Sequence, residues 1–142
     1  MFAFLRRFRP QRGAESEEDM AEIRQEMDAG VAIVRRAEEA GALPVLETQH
    51  RAIGSDRCHL AVPVSRPDQA DAFGKLFVTN RRVIFSGPSP AAIGIGHVIT
   101  ADRHERDIVI VAGGAGVLRF RCNSFGDAML AIWILDRLRK AS

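Results

Sequence analysis

The chain has 142 residues, of which 46% are apolar and 27% are charged, and this composition is typical of a folded globular domain and excludes an intrinsically disordered chain. The formal net charge of +2 gives no general affinity for nucleic acid. No apolar run reaches the roughly 18 residues that cross a bilayer, and the N-terminal pattern is not that of a secretory signal. Cys58 and Cys122 are too few for a disulfide framework, so we expect a reducing cytoplasm.

Residues 1–13 form a basic and aromatic arm, in which Pro10 and Gly13 oppose a continuous helix. Aromatic rings suit the headgroup boundary of a membrane, and guanidinium groups suit anionic lipid. Single-stranded nucleic acid is a less favoured alternative, and the arm could also dock on its own domain or stay unstructured. The predicted contact residues of the arm are Phe2, Phe4, Arg6, Arg7, Phe8 and Arg9.

Residues 14–42 are predicted to form one long amphipathic helix, with Ser16 as its N-cap and acidic residues in its first turn. Gly41 ends this helix, and Gly30 within it costs about 1 kcal/mol relative to alanine. Apolar residues spaced by three and four form one stripe, namely Met20, Ile23, Met27, Val31 and Val34. This stripe can cover the rest of the chain, or residues 16–42 can contact a second copy or another protein.

Residues 43–142 are predicted to form a run of β-hairpins that ends in an amphipathic helix capped by Ser124. The predicted strands are Val45–Ile53, Cys58–Val64, the two runs that meet at Thr79-Asn80, Ile93–Thr100, Ile108–Ala112 and Val117–Cys122. The charged segment Asp102–Asp107 and the segment Gly113–Gly116 are predicted turns. The expected fold is α+β: a long N-terminal helix, a bent antiparallel barrel or sandwich of about six to seven strands, and one C-terminal helix that caps it.

The segment Gly74–Gly87 resembles the G-x-L-x-x-T-N-x-R-x-x-F-x-G hairpin of bacterial pleckstrin-homology-like and GRAM-like domains. The matching residues are Gly74, Leu76, Thr79, Asn80, Arg82, Phe85 and Gly87. The resemblance spans residues 43–142 and implies a partly closed barrel with a helix in its mouth. It also implies a scaffold that binds lipids, peptides or proteins without catalysis.

Lipid-binding members of that superfamily carry a basic cluster between their first two strands. In this chain the corresponding loop offers only Arg51 and Arg57, with Asp56 between them, which departs from the inositol phosphate-binding pattern. Arg82 is predicted to support the hairpin through an ion pair, whereas Arg81 beside it is a candidate contact for an anion.

No residue pattern predicts catalysis, a metal or a cofactor. Cys58 and His59 are adjacent, so they point to opposite faces of a strand, whereas structural zinc takes ligands about two to four residues apart. Gly113–Gly116 leads into a strand, so no helix N-terminus follows it to bind phosphate. There is also no nucleophile elbow of the G-x-S-x-G type.

Two functional hypotheses remain, and neither is enzymatic. In the first, the protein is a cytoplasmic binding module that is peripheral at the inner face of a bacterial membrane through residues 1–13. In the second, it is a soluble protein-interaction or dimerisation module whose contact surface is the helix at residues 16–42. Arg119 and Arg121 share one strand face opposite Leu118, and they are a third basic feature that either hypothesis could use.

Overall fold

The computed structural model describes residues 12–48, 50–70, 72–114 and 116–141. Its helices are α1 (Arg12–Ala40) and α2 (Phe125–Ala141), and short 3-10 helices occur at Pro67–Gln69 and Ile95–His97. Its strands are β1 (Cys58–Arg66), β2 (Ala72–Thr79), β3 (Arg82–Ser86), β4 (Ala91–Gly94), β5 (Val98–His104), β6 (Asp107–Ala112) and β7 (Gly116–Cys122).

All of these strands form one antiparallel sheet in the order β4-β3-β2-β1-β7-β6-β5. The predicted α+β architecture is therefore confirmed, with seven strands between a long N-terminal helix and a C-terminal helix. β4 and β5 form the two edges of the sheet, so the barrel is not closed.

The inner face of the sheet packs on α2, whose apolar side chains are fully buried at Ala128, Ala131, Ile134 and Leu135. In β7 the side chains of Leu118, Phe120 and Cys122 are buried while Arg121 is exposed, which confirms the predicted core side of this strand. Ser124 Oγ accepts a hydrogen bond from the Asp127 amide at 3.1 Å, so the predicted N-cap of α2 is also confirmed.

The other side of α2 carries α1, and the two helices cross at a pair of glycines. A Cβ atom added to Gly30 would lie 3.1 Å from Gly126 Cα, and one added to Gly126 would lie 3.0 Å from Ile33 Cδ1. Gly30 therefore lies where the two helix backbones approach closely, and this packing offsets its low helix propensity.

The bounds of α1 differ from the prediction. The helix begins at Arg12, so Ser16 lies within it and the predicted N-cap at Ser16 is wrong. It ends at Ala40, where Gly41 adopts a φ of 76° and donates a hydrogen bond to the Glu38 carbonyl at 3.1 Å. Gly41 therefore ends the helix as predicted, because glycine adopts a positive φ without steric cost.

The predicted strand Val45–Ile53 is wrong. Among the described residues of this region, which are 45–48 and 50–53, the pairing is limited to an isolated bridge between Leu46 and Cys58. The His50 ring accepts the Ala52 amide at 3.1 Å, and the Ile53 amide binds the His50 carbonyl, also at 3.1 Å. Such local hydrogen bonds replace the ladder that a strand would need.

The predicted strand Ile93–Thr100 is also wrong as a single unit. The 3-10 helix Ile95–His97 divides it between β4 and β5, which lie at opposite edges of the sheet. The Ile95 amide donates to the Arg81 carbonyl at 2.8 Å, so the chain turns against the β2–β3 connection before β5 begins.

Two glycines of the hairpin motif make room for one phenylalanine. A Cβ atom on Gly74 would collide with the Ser86 carbonyl oxygen and lie 2.8 Å from the Phe85 ring. A Cβ atom on Gly87 would lie 3.0 Å from Phe85 Cζ and 2.9 Å from the Phe73 carbonyl oxygen. The spacing of Gly74, Phe85 and Gly87 thus reflects close packing of a ring against paired strands.

We predict that Gly74→Ala lowers the free energy of unfolding by about 2 kcal/mol, because the added methyl group meets backbone atoms that cannot move aside. Gly96→Ala is the matched control, since nothing lies within 4 Å of its Cβ position. We expect this control to stay within about 0.5 kcal/mol of the wild type. Urea unfolding of both variants tests the prediction, and equal midpoints for the two would contradict it.

Candidate binding surfaces

The tip of the β2–β3 hairpin is held by hydrogen bonds to Thr79 and Asp56. Thr79 Oγ1 accepts the amides of Arg81 at 3.1 Å and Arg82 at 2.8 Å, and its hydroxyl lies 3.0 Å from Asp56 Oδ2. Arg82 Nε donates to Asp56 Oδ2 at 2.9 Å, and Arg82 Nη2 donates to the Ile53 carbonyl at 3.0 Å. These contacts join the hairpin to the segment that precedes β1.

Asn80 completes this tip through the backbone of Arg57. The Asn80 side-chain oxygen accepts the Arg57 amide at 2.8 Å, and the Asn80 amide donates to the Arg57 carbonyl at 2.9 Å. The Thr-Asn-x-Arg part of the motif thus makes structural contacts within the chain.

The carboxylate of Asp56 is the charged centre of this network. Its burial alone would raise its pKa, but hydrogen bonds from Arg82 and Thr79 outweigh that effect and hold the pKa of Asp56 below its usual value. The side chain of Asp56 is only 7% exposed, whereas that of Arg82 is 37% exposed. Removal of the carboxylate therefore leaves buried donors without their acceptor.

We predict that Asp56→Ala lowers the free energy of unfolding by about 2 kcal/mol at pH 7. Because the folded pKa is depressed, this contribution is fully present above the unfolded pKa of about 3.9 and is lost as pH falls through the lower folded pKa. The difference between wild type and variant should therefore be constant from about pH 5 to 8 and shrink below about pH 4.

Urea titrations at several pH values measure this difference. The exposed Asp102, whose side chain makes no hydrogen bond among the described residues, gives the control Asp102→Ala, with an expected change under about 0.5 kcal/mol. A pH-independent difference for Asp56→Ala would show that the carboxylate charge is not what stabilises the tip.

A second carboxylate, Asp107, binds both arginines of β7. Arg119 Nε donates to Asp107 Oδ2 at 2.7 Å, and Arg121 Nε donates to Oδ1 at 2.8 Å. Asp107 is buried and lies directly opposite Arg121 in the β6–β7 ladder. Burial would raise its pKa, but the hydrogen bonds from Arg121 and Arg119 outweigh burial and hold the pKa of Asp107 below its usual value.

These residues lie in a cleft of about 710 Å³ at the β5–β6 turn, which we call the arginine cleft. Its lining residues are Arg103, His104, Glu105, Arg106, Asp107, Arg119 and Arg121. Arg103 Nη1 donates to the Glu105 carbonyl at 2.8 Å, and its guanidinium carbon lies 5.9 Å from the centre of the Phe125 ring. The sequence analysis noted Arg119 and Arg121 but assigned Asp107 to a turn and missed Arg103 and Arg106.

Arg81, the predicted anion contact beside the β2–β3 turn, is exposed and does not line the arginine cleft. It lies at the end of the sheet where β1 begins, because its amide binds Thr79 Oγ1 and Thr79 is paired with Cys58. Arg121 is instead next to Ser65, which lies near the far end of β1. The structure therefore does not bring Arg81 together with Arg119 and Arg121.

The loop between the first two strands was expected to hold the few basic residues that correspond to the basic cluster of lipid-binding superfamily members. With β1 beginning at Cys58, this loop is residues 67–71, and its sequence Pro-Asp-Gln-Ala-Asp contains no basic residue. The expectation that placed Arg51 and Arg57 in this loop was wrong, because the segment that carries them precedes β1.

Arg66 is a buried arginine that the sequence did not indicate as special. It is 5% exposed, and its guanidinium carbon lies 5.2 Å from the centre of the Phe85 ring and 5.6 Å from that of Phe120. Its Nη1 donates to the Ser89 carbonyl at 2.9 Å, while Nε has no acceptor among the described residues. The two rings therefore take the place of a carboxylate in holding this cation.

The stripe of apolar residues on α1 is only partly covered. Met20 is 55% exposed, and Ile23 and Val31 are also exposed, whereas Met27 and Val34 are half-buried. Met20, Ile23 and Met27 line an open groove beside Phe125, and a second groove between α1 and α2 runs past Val31 and Val34. α1 therefore uses the Gly30 side to contact its own domain and leaves an apolar face open.

The cysteines and histidines do not form a reactive site. Cys58 and Cys122 are both buried and reduced, and burial raises the pKa of both thiols, to about 12 for Cys122. His59 is buried, and its Nδ1 lies 2.7 Å from the Pro44 carbonyl. Throughout residues 12–48, 50–70, 72–114 and 116–141, no three His, Cys, Asp or Glu side chains form a potential metal site.

The predicted contact residues Phe2, Phe4, Arg6, Arg7, Phe8 and Arg9 lie outside the described residues. Within the described part of the chain, no helix combines the length and the apolar character needed to cross a membrane.

Comparison with known families finds no family model that matches this chain, and no curated protein matches it either. Among solved structures, one that it resembles is the crystal structure of the FERM and C-terminal domain complex of Drosophila Merlin. The two are 10% identical in sequence with a TM-score of 0.40, and the match covers 55% of this chain and 30% of that one.

Proposed function

We propose that this protein is a non-catalytic binding module that pairs with a second copy of itself through α1. The observation that carries the proposal is the uncovered apolar face of α1, which includes Met20, Ile23 and Val31. Exposed apolar surface of this kind on a long helix is typical of a protein contact. The buried, high-pKa thiols and the structural use of the hairpin motif support a role other than catalysis.

The sequence of α1 is complementary to itself when two copies run antiparallel about Met27. In that register Ile23 faces Val31 of the other copy, and Met20 faces Val34. Such a pairing has two-fold symmetry, so each apolar contact occurs twice in the dimer. The same register brings acidic residues of the N-terminal half against basic residues of the C-terminal half.

In this register Asp19 lies level with Arg35 of the other copy, whereas Glu18 and Arg36 lie on the side of the helix opposite the stripe and take no part in the contact. The side chains of Asp19 and Arg35 are exposed and make no hydrogen bond or ion pair among the described residues, so each is available to a second copy. A parallel pair would instead place like charges at the same level, which is destabilising. Charge thus favours the antiparallel arrangement, and the apolar stripe supplies the attraction.

We predict that Ile23→Glu weakens self-association at least tenfold, because the dimer would bury two new carboxylates. Light scattering over a concentration series measures the change in mass. Val117→Glu is the control and should associate like the wild type, because Val117 is an exposed apolar residue on β7 and not on α1.

Charge exchange tests the register itself. Arg35→Glu should weaken the dimer, because it places a carboxylate against Asp19, and the double variant Asp19→Arg with Arg35→Glu should restore it. A wild type that is monomeric at all concentrations would refute the self-pairing proposal. A dimer whose stability is unchanged by Arg35→Glu and by the double substitution would refute this register.

A second candidate function is peripheral attachment to the inner face of a bacterial membrane through residues 1–13. The observation that favours it is the position of the arginine cleft, because Arg103 and Arg106 also line the groove formed by the N-terminal half of α1. The arm precedes α1 in the sequence, and the N-terminal half of α1 shares its groove with these arginines. Anionic lipid attracts such basic clusters with about 1 kcal/mol for each residue near the surface.

We predict that replacing Arg6, Arg7 and Arg9 with glutamine lowers co-sedimentation with phosphatidylglycerol vesicles roughly 100-fold, because about 3 kcal/mol of attraction is lost. The control replaces Arg24, Arg51 and Arg57 with glutamine, since these exposed arginines lie outside the arm and the arginine cleft. Binding that is equal in wild type and arm variant, or absent from both, would refute this candidate.

A further inference from the structure

The arginine cleft has a floor that fixes the orientation of two guanidinium groups. Asp107 is buried, and it receives the Nε groups of both Arg119 and Arg121, together with Arg121 Nη2 at 3.1 Å. Arg119 is thereby held by its inner nitrogen alone, whereas Arg121 is also held through Nη2, and both side chains line the cleft. An arginine that is already fixed in this way loses less conformational freedom when it binds a ligand.

Hydrogen-bond donors at the mouth of the cleft remain available. The side chain of Arg119 is 43% exposed, and neither of its Nη groups has an acceptor among the described residues. The side chain of Arg106 makes one long contact among the described residues, of 3.4 Å from Nη1 to the Asn123 carbonyl. These two forks can therefore donate to an incoming acceptor without first breaking a short hydrogen bond.

The charges of the cleft favour an anion. Four arginines face two carboxylates, those of Asp107 and Glu105, which leaves a formal excess of +2 before His104 is considered. Asp107 is fully engaged by its arginine partners, so it offers little to a cation. Planar guanidinium forks match the oxygen spacing of phosphate, which they bind with paired hydrogen bonds.

We propose that the arginine cleft is a binding site for a phosphate group, either of a small phosphorylated molecule or of a lipid headgroup. Arg119 and Arg106 donate to the phosphate oxygens, and Asp107 acts as a positioning residue beneath them. The residues that line the site belong to β5, the β5–β6 turn, β6 and β7, and none of them belongs to the α1 stripe, although the groove beside the stripe shares Arg103, Glu105 and Arg106 with the site.

The size of the ligand is limited by its surroundings. Asp19, Glu22 and Glu26 of α1 line the neighbouring groove, which shares Arg103, Glu105 and Arg106 with the cleft. An extended polyanion would meet these carboxylates, whereas a single phosphate or pyrophosphate would not. The acidic helix thus selects a compact anion.

Calorimetric titration of the full chain with inorganic pyrophosphate tests the proposal. We expect saturable binding that weakens at least tenfold in Arg119→Gln and in Arg106→Gln and becomes weaker as salt rises. Arg81→Gln is the control, because this exposed arginine lies at the opposite end of β1 and should leave the affinity unchanged. Arg106 touches no buried carboxylate, so its substitution reports on binding even if Arg119→Gln proves unstable.

Vesicles distinguish the two sources of phosphate. Phosphatidylglycerol vesicles should bind the wild type more than Arg106→Gln if the headgroup is the ligand, with phosphatidylcholine vesicles as the baseline. Pyrophosphate binding without this difference assigns the site to a free phosphorylated molecule. Absence of both effects, or binding that survives Arg106→Gln and Arg119→Gln unchanged, would overturn the proposal while leaving the dimer proposal untouched.

Discussion

Burial of α2 is the constraint on which the rest of the structure depends. An antiparallel sheet of seven strands with free edges at β4 and β5 leaves its inner apolar face open to water unless another element covers it. α2 covers that face with side chains such as Ile134 and Leu135, and each contributes about 1.5–3 kcal/mol by leaving water. The same helix supplies Gly126, where α1 docks, so the position of α1 follows from that of α2.

Two aspartates organise arginines in this fold, with opposite consequences. At the start of β1, Asp56 draws Arg82 inward, where carbonyls from the preceding turn take up its remaining donors. At the start of β6, Asp107 binds only the inner nitrogen of Arg119, whose outer nitrogens stay free of acceptors in the described part of the chain. The ion pair of Asp56 with Arg82 therefore stabilises the fold, whereas the ion pair of Asp107 with Arg119 leaves hydrogen-bond donors exposed on the surface.

Much of the fold could be predicted from the sequence because its signals are local. The glycines around Phe85, the hairpin at Thr79-Asn80 and the cap at Ser124 depend on neighbours that are close in the chain or directly paired. The segment from Val45 to Ile53 was mistaken for a strand because its apolar residues match the pattern, while side chains of Thr48 and His50 bind the backbone instead. The break near Ile95 depends on a contact with Arg81 that no local pattern reveals.

The candidate sites were predicted less well, because they depend on register. Asp107 lies opposite Arg121 because Ala112 pairs with Gly116, whereas the predicted turn Gly113–Gly116 would pair Ala112 with Val117 and set Asp107 opposite Cys122. Arg103 joins them only because β5 lies beside β6, and the acidic half of α1 approaches only because Gly30 meets Gly126. A chain with little net charge therefore carries a basic cleft next to an acidic helix. A ligand of this surface would encounter the local separation of positive and negative charge and not the net charge of the whole chain.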